Sequence, residues 1–510
     1  MVYIKSQKHQ TSVVPTNITD LFPKNHICYM VENIVEGLDY SKFDLKYAGR
    51  GRPAYHPSVL LKVLLMGYMD SIRSSRRLAK NANESFVYVY LAERLSPDFR
   101  TICRFRAENP DIVEQVFSDI CLFALEHKLL DLSHLLSDGS TIKANANKDV
   151  CIDEKTIKKI EKSINRWIKE GIKIDEEEDK IYGDRSYHEL PEELRDPKKR
   201  NEVAKKIADE VNKQMKKEPS KWEEEKLEEI KKIKDKHNTL KNFLGDQKKM
   251  SFTDPSSRVM KNKKGHTEFS YNVQVVVDNK HQLIVGNDVR QDNHDRFSIE
   301  PNVRLVEEEF GLLPPGTKIS FDAGCQKGSA IINLDEKGFD IYTPLYGSQK
   351  KNPFAKINFH YDEQQDVYIC PENKILRNVG TTFSKKRQET DIRYQAKLSD
   401  CRTCSKWSMC AKNSKARTIQ ALPADKIMNR IKLKMQTEIG KDTYRNRKKV
   451  EKVFGDIKEN KRFRQFLLRG LEKVRTEWTL VCAVYNLRII HNLLLARNKE
   501  LSGTIQPFAI

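Results

Sequence analysis

The chain has 510 residues, too many for one ordinary domain. Lys and Arg outnumber Asp and Glu by 92 to 72, and the formal net charge of +20 with a pI near 9.3 favours a polyanionic partner. Mean hydropathy is −0.67, no apolar run reads as long enough to span a bilayer, and the N-terminal stretch MVYIKSQKHQTSVVP lacks the apolar centre of a secretory signal. The expectation is therefore a soluble protein in a reducing compartment, where a local cluster among the ten cysteines suggests metal before disulfide.

From about Pro15 to Leu130 the chain reads as short helices. YHPSVLLKVLLMGYMD has apolar residues at helical spacing, with Pro57 near the helix start. Further helices are expected through Arg76–Lys80, after Pro97-Asp98, and from Pro110 to about His127, with Asp98 or Thr101 as a cap. The pair flanking Ser96–Asp98 reads as a helix-turn-helix, in which Arg100, Arg104 and Arg106 face phosphates or base edges. The alternative is a helical bundle with arginines on its wet face.

LLSDGSTIKANANK follows, a strand over Leu135–Ala144 with Asp138 in its middle. A carboxylate there is costly unless it is paired or binds a cation. The competing reading is a hairpin turn at Asp138-Gly139. From Asp149 to about Met250 Lys and Glu dominate, with apolar stripes such as Ile157, Ile160, Ile164 and Ile168 that suggest long amphipathic helices. Two strands are then expected, Tyr271–Val277 and Gln282–Val289, and after them a helix over Asp295–Phe310. Asp254, before Pro255, is a rival acid in a loop. TKISFD predicts a strand over Thr317–Asp322 with Asp322 at its C-terminal end, where α/β sites form. A helix (Lys327–Lys337) and the strand FDIYTPL complete this part.

Residues 347–424 read as irregular. Cys370, Cys401, Cys404 and Cys410 give four thiolates, the number for a tetrahedral zinc knuckle, with free thiols or a redox pair as alternatives. YRNRKKVEKVFGDIK reads as one helix over Tyr444–Lys458. On a 3.6-residue wheel Tyr444, Arg447, Glu451 and Lys458 share a narrow stripe, beside an apolar one of Val450, Val453, Phe454 and Ile457. A carboxylate for a cation with Arg and Lys for phosphate oxygens suits a site holding metal and nucleic acid. An apolar helix over Val474–Leu494 follows.

The spacing Tyr444-x2-Arg447-x3-Glu451-x6-Lys458 resembles the signature around the catalytic glutamate of DDE transposases from bacterial insertion sequences. DGSTIKA resembles the strand with their first catalytic aspartate, and FDAG the second, although Cys325 stands where the family often has Tyr. TDPSSR, HPSVLLKVLLMGY, SSRRLA and SPDFRTICRFR carry the same resemblance, nearest to insertion-sequence family eleven-eighty-two within the broader four- and five-like group. It implies an α/β, ribonuclease H-like core in segments 131–148, 251–346 and 425–510. A helical DNA-binding-like domain (1–130), a charged coiled-coil-like insertion (149–250) and a Cys-containing insertion (347–424) would surround it. Asp138, Asp322 and Glu451 would be the catalytic acids, sharing Mg2+ or Mn2+ because their donors are all oxygen. Tyr444, Arg447 and Lys458 would hold DNA. The implied activity is cleavage at transposon ends and strand transfer on double-stranded DNA by a cytoplasmic, nucleoid-associated homodimer, with structural Zn2+ on the cysteines as an added possibility. The alternatives are a metal-dependent nuclease without strand transfer, or a DNA-binding derivative without catalysis.

Overall fold

The computed structural model describes residues 17–41, 54–147, 151–153, 158, 249–261, 265–325, 328–344, 352–384, 389–411 and 415–502. Most of the charged segment expected as an insertion lies outside them. Helices α1 (Ile27–Glu36), α2 (Pro57–Met69), α3 (Ser75–Glu84), α4 (Phe86–Leu91), α5 (Phe99–Glu108) and α6 (Pro110–Glu126) come first. Pro57 opens α2 after a His56 cap, and Asp98 caps α5 by accepting from the N–H groups of Arg100 and Thr101.

The main sheet is built round β1 (His134–Lys143). β2 (Cys151–Asp153) and β3 (Lys249–Ser251) pair with each other outside it. The other strands of the sheet are β4 (Arg258–Lys261), β5 (Thr267–Asp278), β6 (Ile284–Arg290), β7 (Lys318–Ser320) and β8 (Asp340–Tyr342). β5 lies antiparallel to β1, with β4 along its first residues and β6 along the rest. On the other side β1 runs parallel to β7, and β7 to β8. Helix α7 (Ile299–Phe310) joins β6 to β7, and α8 (Gly328–Glu336) joins β7 to β8. The run VQVVVD on β5 is buried throughout, as a strand covered on both faces requires. Buried His134 on β1 meets Ser320 on β7, Nε2 to Oγ 2.8 Å. Burial and the nearby Lys318 and Lys449 push the His134 imidazole down to about 4, so it is a neutral cross-link between the two strands.

Residues 347–424 are more regular than their sequence suggests. β9 (His360–Asp362), β10 (Val367–Ile369), β11 (Ile375–Ser384), β12 (Glu389–Ala396) and β13 (Thr418–Ala421) form a second, antiparallel sheet in the order 13-12-11-10-9. It has its own small apolar cluster, including Phe359, Tyr361, Tyr368, Leu376 and Tyr394. Tyr361 and Tyr394 both donate to one oxygen of Asp366, at 2.6 Å each. Short helices α9 (Leu398–Arg402) and α10 (Trp407–Cys410) lie between its last two strands. Three of these strands are only three or four residues long, and the outer part of β11 is exposed. No apolar alternation marks such strands.

α11 (Asp425–Gln436), α12 (Glu438–Arg445) and α13 (Lys448–Gly455) lead to a π-helical turn at Asp456–Asn460, and the long helix α14 (Leu471–Ser502) is the last of the described elements. One apolar cluster unites the N-terminal helices, the main sheet and α14. The sequence expectation that no run is long enough to span a bilayer is corrected here. Leu471–Arg497 meets that length and composition, and 61 % of its most apolar window is buried against the protein. Its hydropathy is that of a core helix.

Arg106 also needs correction. It does not face a ligand: it is 4 % exposed and donates to the Arg73 carbonyl oxygen (2.7 Å) and to Tyr68 Oη (3.5 Å). Tyr68 Oη donates in turn to fully buried Glu477 on α14 (3.1 Å). The other Glu477 oxygen accepts the N–H groups of Leu467 and Leu468, each at 2.9 Å. The Arg106 positive charge partly offsets the burial that pushes the Glu477 carboxyl up. Arg106→Ala is therefore expected to cost about 3 kcal/mol in chemical unfolding, whereas exposed Arg104→Ala should change stability by no more than about 0.5 kcal/mol. Equal effects would contradict the buried-network assignment.

Candidate active site

Asp138 stands in the middle of β1, opposite Val275 of β5. Asp322 lies just beyond β7, and its Oδ1 accepts the N–H of Ala323 (2.8 Å). Glu451 is on α13. These three acids, from distant parts of the chain, meet on one side chain. Arg447 Nη2 lies 3.1 Å from Asp138 Oδ1 and 3.5 Å from Asp322 Oδ2, and Nη1 lies 3.1 Å from Glu451 Oε1. Asp138 and Arg447 are enclosed, at 14 % and 12 % side-chain exposure, while Asp322 and Glu451 are half exposed at 55 % and 53 %. The cluster is thus graded from a buried floor to an open rim.

The helix expected over 444–458 is interrupted twice. α12 ends at Arg445, and Asn446-Arg447 form a tighter turn in which Lys449 N–H bonds to Asn446 (2.8 Å) and Val450 N–H to Arg447 (3.1 Å). The turn seats Arg447 at the head of α13. Val450, Val453, Phe454 and Ile457 are all buried, so the apolar stripe anchors this segment. The π turn carries Lys458 to β1, where Nζ bonds Ser140 Oγ (2.6 Å) and the Thr141 carbonyl (2.9 Å). Tyr444 borders the acids; burial pushes its phenol up to about 12, so it remains protonated.

The other face of β1 explains Gly139. Ser137 Oγ accepts from Asn302 (2.9 Å), and Asp295 Oδ1 accepts from Asn272 (2.8 Å) and Gln274 (2.7 Å). A β-carbon at Gly139 would stand 2.2 Å from Gln274 Nε2 and 2.3 Å from Asp295 Oδ1. Those two atoms are hydrogen-bonded to each other, so a larger residue would have to push that pair aside. Asp295 is the acid that the sequence reading missed as a site residue, taking it as a helix start. It lies before α7, and its charge acts on Asp138. Only the run of polar residues QDNHD hinted at it.

Burial pushes the Asp138 carboxyl up to about 6; Arg447 opposes the shift, and Asp295 and Asp322 add to it. Because 6 lies above the ordinary 3.8, Asp138 contributes stability that is fully present below about pH 4 and lost as pH rises through about 6. Asp138→Asn cannot ionise and escapes that loss. In chelator, the variant is expected to be more stable than wild type near pH 7.5 by on the order of 2 kcal/mol, with the gap closing toward pH 4. Thermal melts across pH check this; a less stable variant near pH 7.5 would contradict it.

Elsewhere, Arg100 and Arg104 are exposed on α5, and the guanidinium groups of Arg76 and Arg100 lie 5.0 and 5.8 Å from the Phe99 ring centre. Asp254, the rival acid, is fully buried and clamps Tyr271 Oη (2.8 Å) and Gly470 N–H (3.1 Å) away from Arg447. Cys325 is buried and accepts from Ser298 Oγ at 3.5 Å, so it packs inward. Cys370, Cys401, Cys404 and Cys410 are free thiols beside the second sheet. The sulfurs of Cys370 and Cys401 accept backbone N–H groups from Lys374 (3.2 Å) and Arg417 (3.5 Å). Among the described residues, no group of three or more His, Cys, Asp or Glu is gathered closely enough to hold an ion. The four sulfurs do neighbour one another: the charges of Cys370, Cys401 and Cys404 add to the burial that raises the Cys410 thiol. At the acid cluster the reason is visible: a guanidinium contacts all three carboxylates.

Comparison with known families gives two matches. Residues 16–108, which include α1 to α5, match a transposase domain (DUF772). No curated protein matches the chain. Residues 369–491, which include the Cys segment, Glu451 and most of α14, match a transposase DDE domain. Asp138 and Asp322 lie outside both matches, and Glu451 lies within the second.

Proposed function

We propose that the chain is a DDE transposase that binds transposon ends and carries out metal-dependent cleavage and strand transfer. The observation that carries this reading is the convergence of Asp138, Asp322 and Glu451 on the Arg447 guanidinium. The strand order 6-5-1-7-8, with β5 antiparallel to both β6 and β1, and β7 and β8 parallel to β1, supports a ribonuclease H-like core.

Divalent cations suit the donor set. Three carboxylates share the one Arg447 guanidinium, and Asp295 adds its charge to Asp138 from the other face of β1, so the cluster is short of positive charge. Asp138, Asp322 and Glu451 would hold Mg2+ or Mn2+, hard ions that prefer oxygen ligands. When bound, such ions supply Lewis acidity at the attacking and leaving oxygens of an in-line displacement at phosphorus. The half-exposed carboxylates of Asp322 and Glu451 close on the fixed carboxylate of Asp138. Tyr444, Arg447 and Lys458 border the acids and contact the DNA backbone near the scissile phosphate. Exposed Arg100 and Arg104, with Arg76 and Phe99, bind DNA farther from the chemistry. The +20 net charge agrees with such a partner. Two copies act on paired ends, as a homodimer assembled on DNA. Zinc on the cysteines is not part of the proposal.

Asp138→Ala, Asp322→Ala and Glu451→Ala are each expected to bring end cleavage and joining below detection while leaving end binding within a few-fold. Supplied with pre-cleaved ends, the wild-type protein joins them to plasmid DNA. Cutting without joining would make it a nuclease, and near-normal activity in Asp322→Ala would break the triad.

A further inference from the structure

Arg447 does more than border the acids. Its guanidinium touches all three carboxylates at once, with Asp138 and Glu451 held at 3.1 Å and Asp322 at 3.5 Å. A surface arginine waiting for phosphate would extend into solvent; this one is 12 % exposed. Its position is set by backbone, at the turn between α12 and α13, four residues before Glu451. The burial of Arg447 is also incomplete as bonding. Its Nε is buried and has no hydrogen-bond partner among the described residues, an arrangement that costs free energy while it persists.

We propose that Arg447 is a positioning residue that serves as the resident cation of the acid site in the chain free of metal and DNA, and that loading the site requires its guanidinium to leave Asp138. The inference rests on the reading of the acids as a metal site. The physical argument is competition. Three carboxylates facing one another repel strongly unless a positive charge stands among them. Arg447 supplies that charge from within the chain, so Asp138 is already aimed at the cluster before any ion arrives. The same contact uses the oxygens that an entering divalent ion needs. An ion and the guanidinium therefore exclude each other at Asp138 Oδ1.

Phosphate oxygens favour the exchange, because an arginine displaced from carboxylates finds an equally strong fork-shaped partner in a phosphate. Entry of the ion and seating of the DNA are then linked through one side chain. Either ligand weakens the hold of Arg447 on the acids and so favours the other. Without DNA the guanidinium stays on the acids and metal is taken up weakly, which guards a nucleic-acid-cutting centre until a substrate is in place.

Mn2+ binding to the DNA-free protein, read by electron paramagnetic resonance and calorimetry, tests this. Wild type is compared with Arg447→Gln, Arg447→Lys and Asp138→Ala, and circular dichroism verifies that each variant is folded. Arg447→Gln is expected to bind Mn2+ at least about tenfold more tightly than wild type, as follows from removing one positive charge next to the ion. Arg447→Lys, which keeps the charge on a single point, is expected to fall between them. In wild type, a short duplex of any sequence is expected to tighten Mn2+ binding, and in Arg447→Gln that gain is expected to shrink. Equal or weaker Mn2+ binding by Arg447→Gln, with Asp138→Ala weaker than wild type, overturns the resident-cation proposal and leaves the metal site standing. Mn2+ binding that Asp138→Ala leaves unchanged overturns both. If Arg447→Gln fails to fold, the Arg447→Lys affinity decides alone: no gain over wild type overturns the proposal.

Discussion

A carboxylate in the middle of a central β-strand is the constraint to which the rest of this structure answers. Asp138 is paired with β5, lies just past the stretch of β1 that pairs with β7, and is shielded from water, so its charge is expensive. The fold brings compensation to it from elsewhere in the chain. Arg447 arrives at the head of a helix that four buried apolar side chains hold down. Lys458, one turn beyond that helix, is tied to Ser140 and Thr141 on the same strand. The two acids at the rim complete the cluster around the arginine. The protein thus holds a concentration of negative charge that its own residues only partly neutralise, an arrangement suited to a cationic guest.

The position of this cluster is fixed from two directions. Behind β1, the amides of Asn272, Gln274 and Asn302 bind Asp295 and Ser137, and a side chain at position 139 would have to displace the Gln274–Asp295 pair. Below it, the segment after the π turn runs against the end of β1: Phe466 N–H donates to the Lys143 carbonyl at 3.0 Å, and Asn145 reaches the Leu467 carbonyl at 2.6 Å. The same segment is tied to the N-terminal helices through Arg73, which donates to the Gln465 carbonyl (2.7 Å), and through Glu477. The helices that carry exposed Arg100 and Arg104 therefore share a core and a polar network with the segment beside the acids.

Much of this was legible before any coordinates. The strand around Asp138, the paired strands after it, the short strand before Asp322 and the long apolar helix each carry a local pattern strong enough to read. The Tyr444-Arg447-Glu451-Lys458 row was legible as a set, but not the breaks within it. The turn at Asn446-Arg447 and the π turn at Asp456–Asn460 are local departures from 3.6 residues per turn, and no single residue type announces them. Arg106 misled because helical spacing cannot tell a wet arginine from one that a buried glutamate 371 positions away has drawn inside. Asp295 was missed for a related reason: its partners lie on a neighbouring strand, and long-range polar contacts leave no periodic trace. The second sheet was hidden by strands too short and too polar to alternate. The apolar run of α14 was passed over as a bilayer-length stretch because its Asn, Arg and His residues interrupt it in the sequence, although in the fold Asn486 and His491 are buried.

The central claim is that Asp138, Asp322 and Glu451 make one cation-holding site. Crystals of the protein with a short duplex and Mn2+ test it most directly, through anomalous scattering at the manganese edge. The account requires an anomalous peak bonded to oxygens of Asp138 and at least one of the other two acids, with the Arg447 guanidinium withdrawn from Asp138. Manganese bound elsewhere, with the three acids still gathered on Arg447 in the presence of DNA, would contradict it.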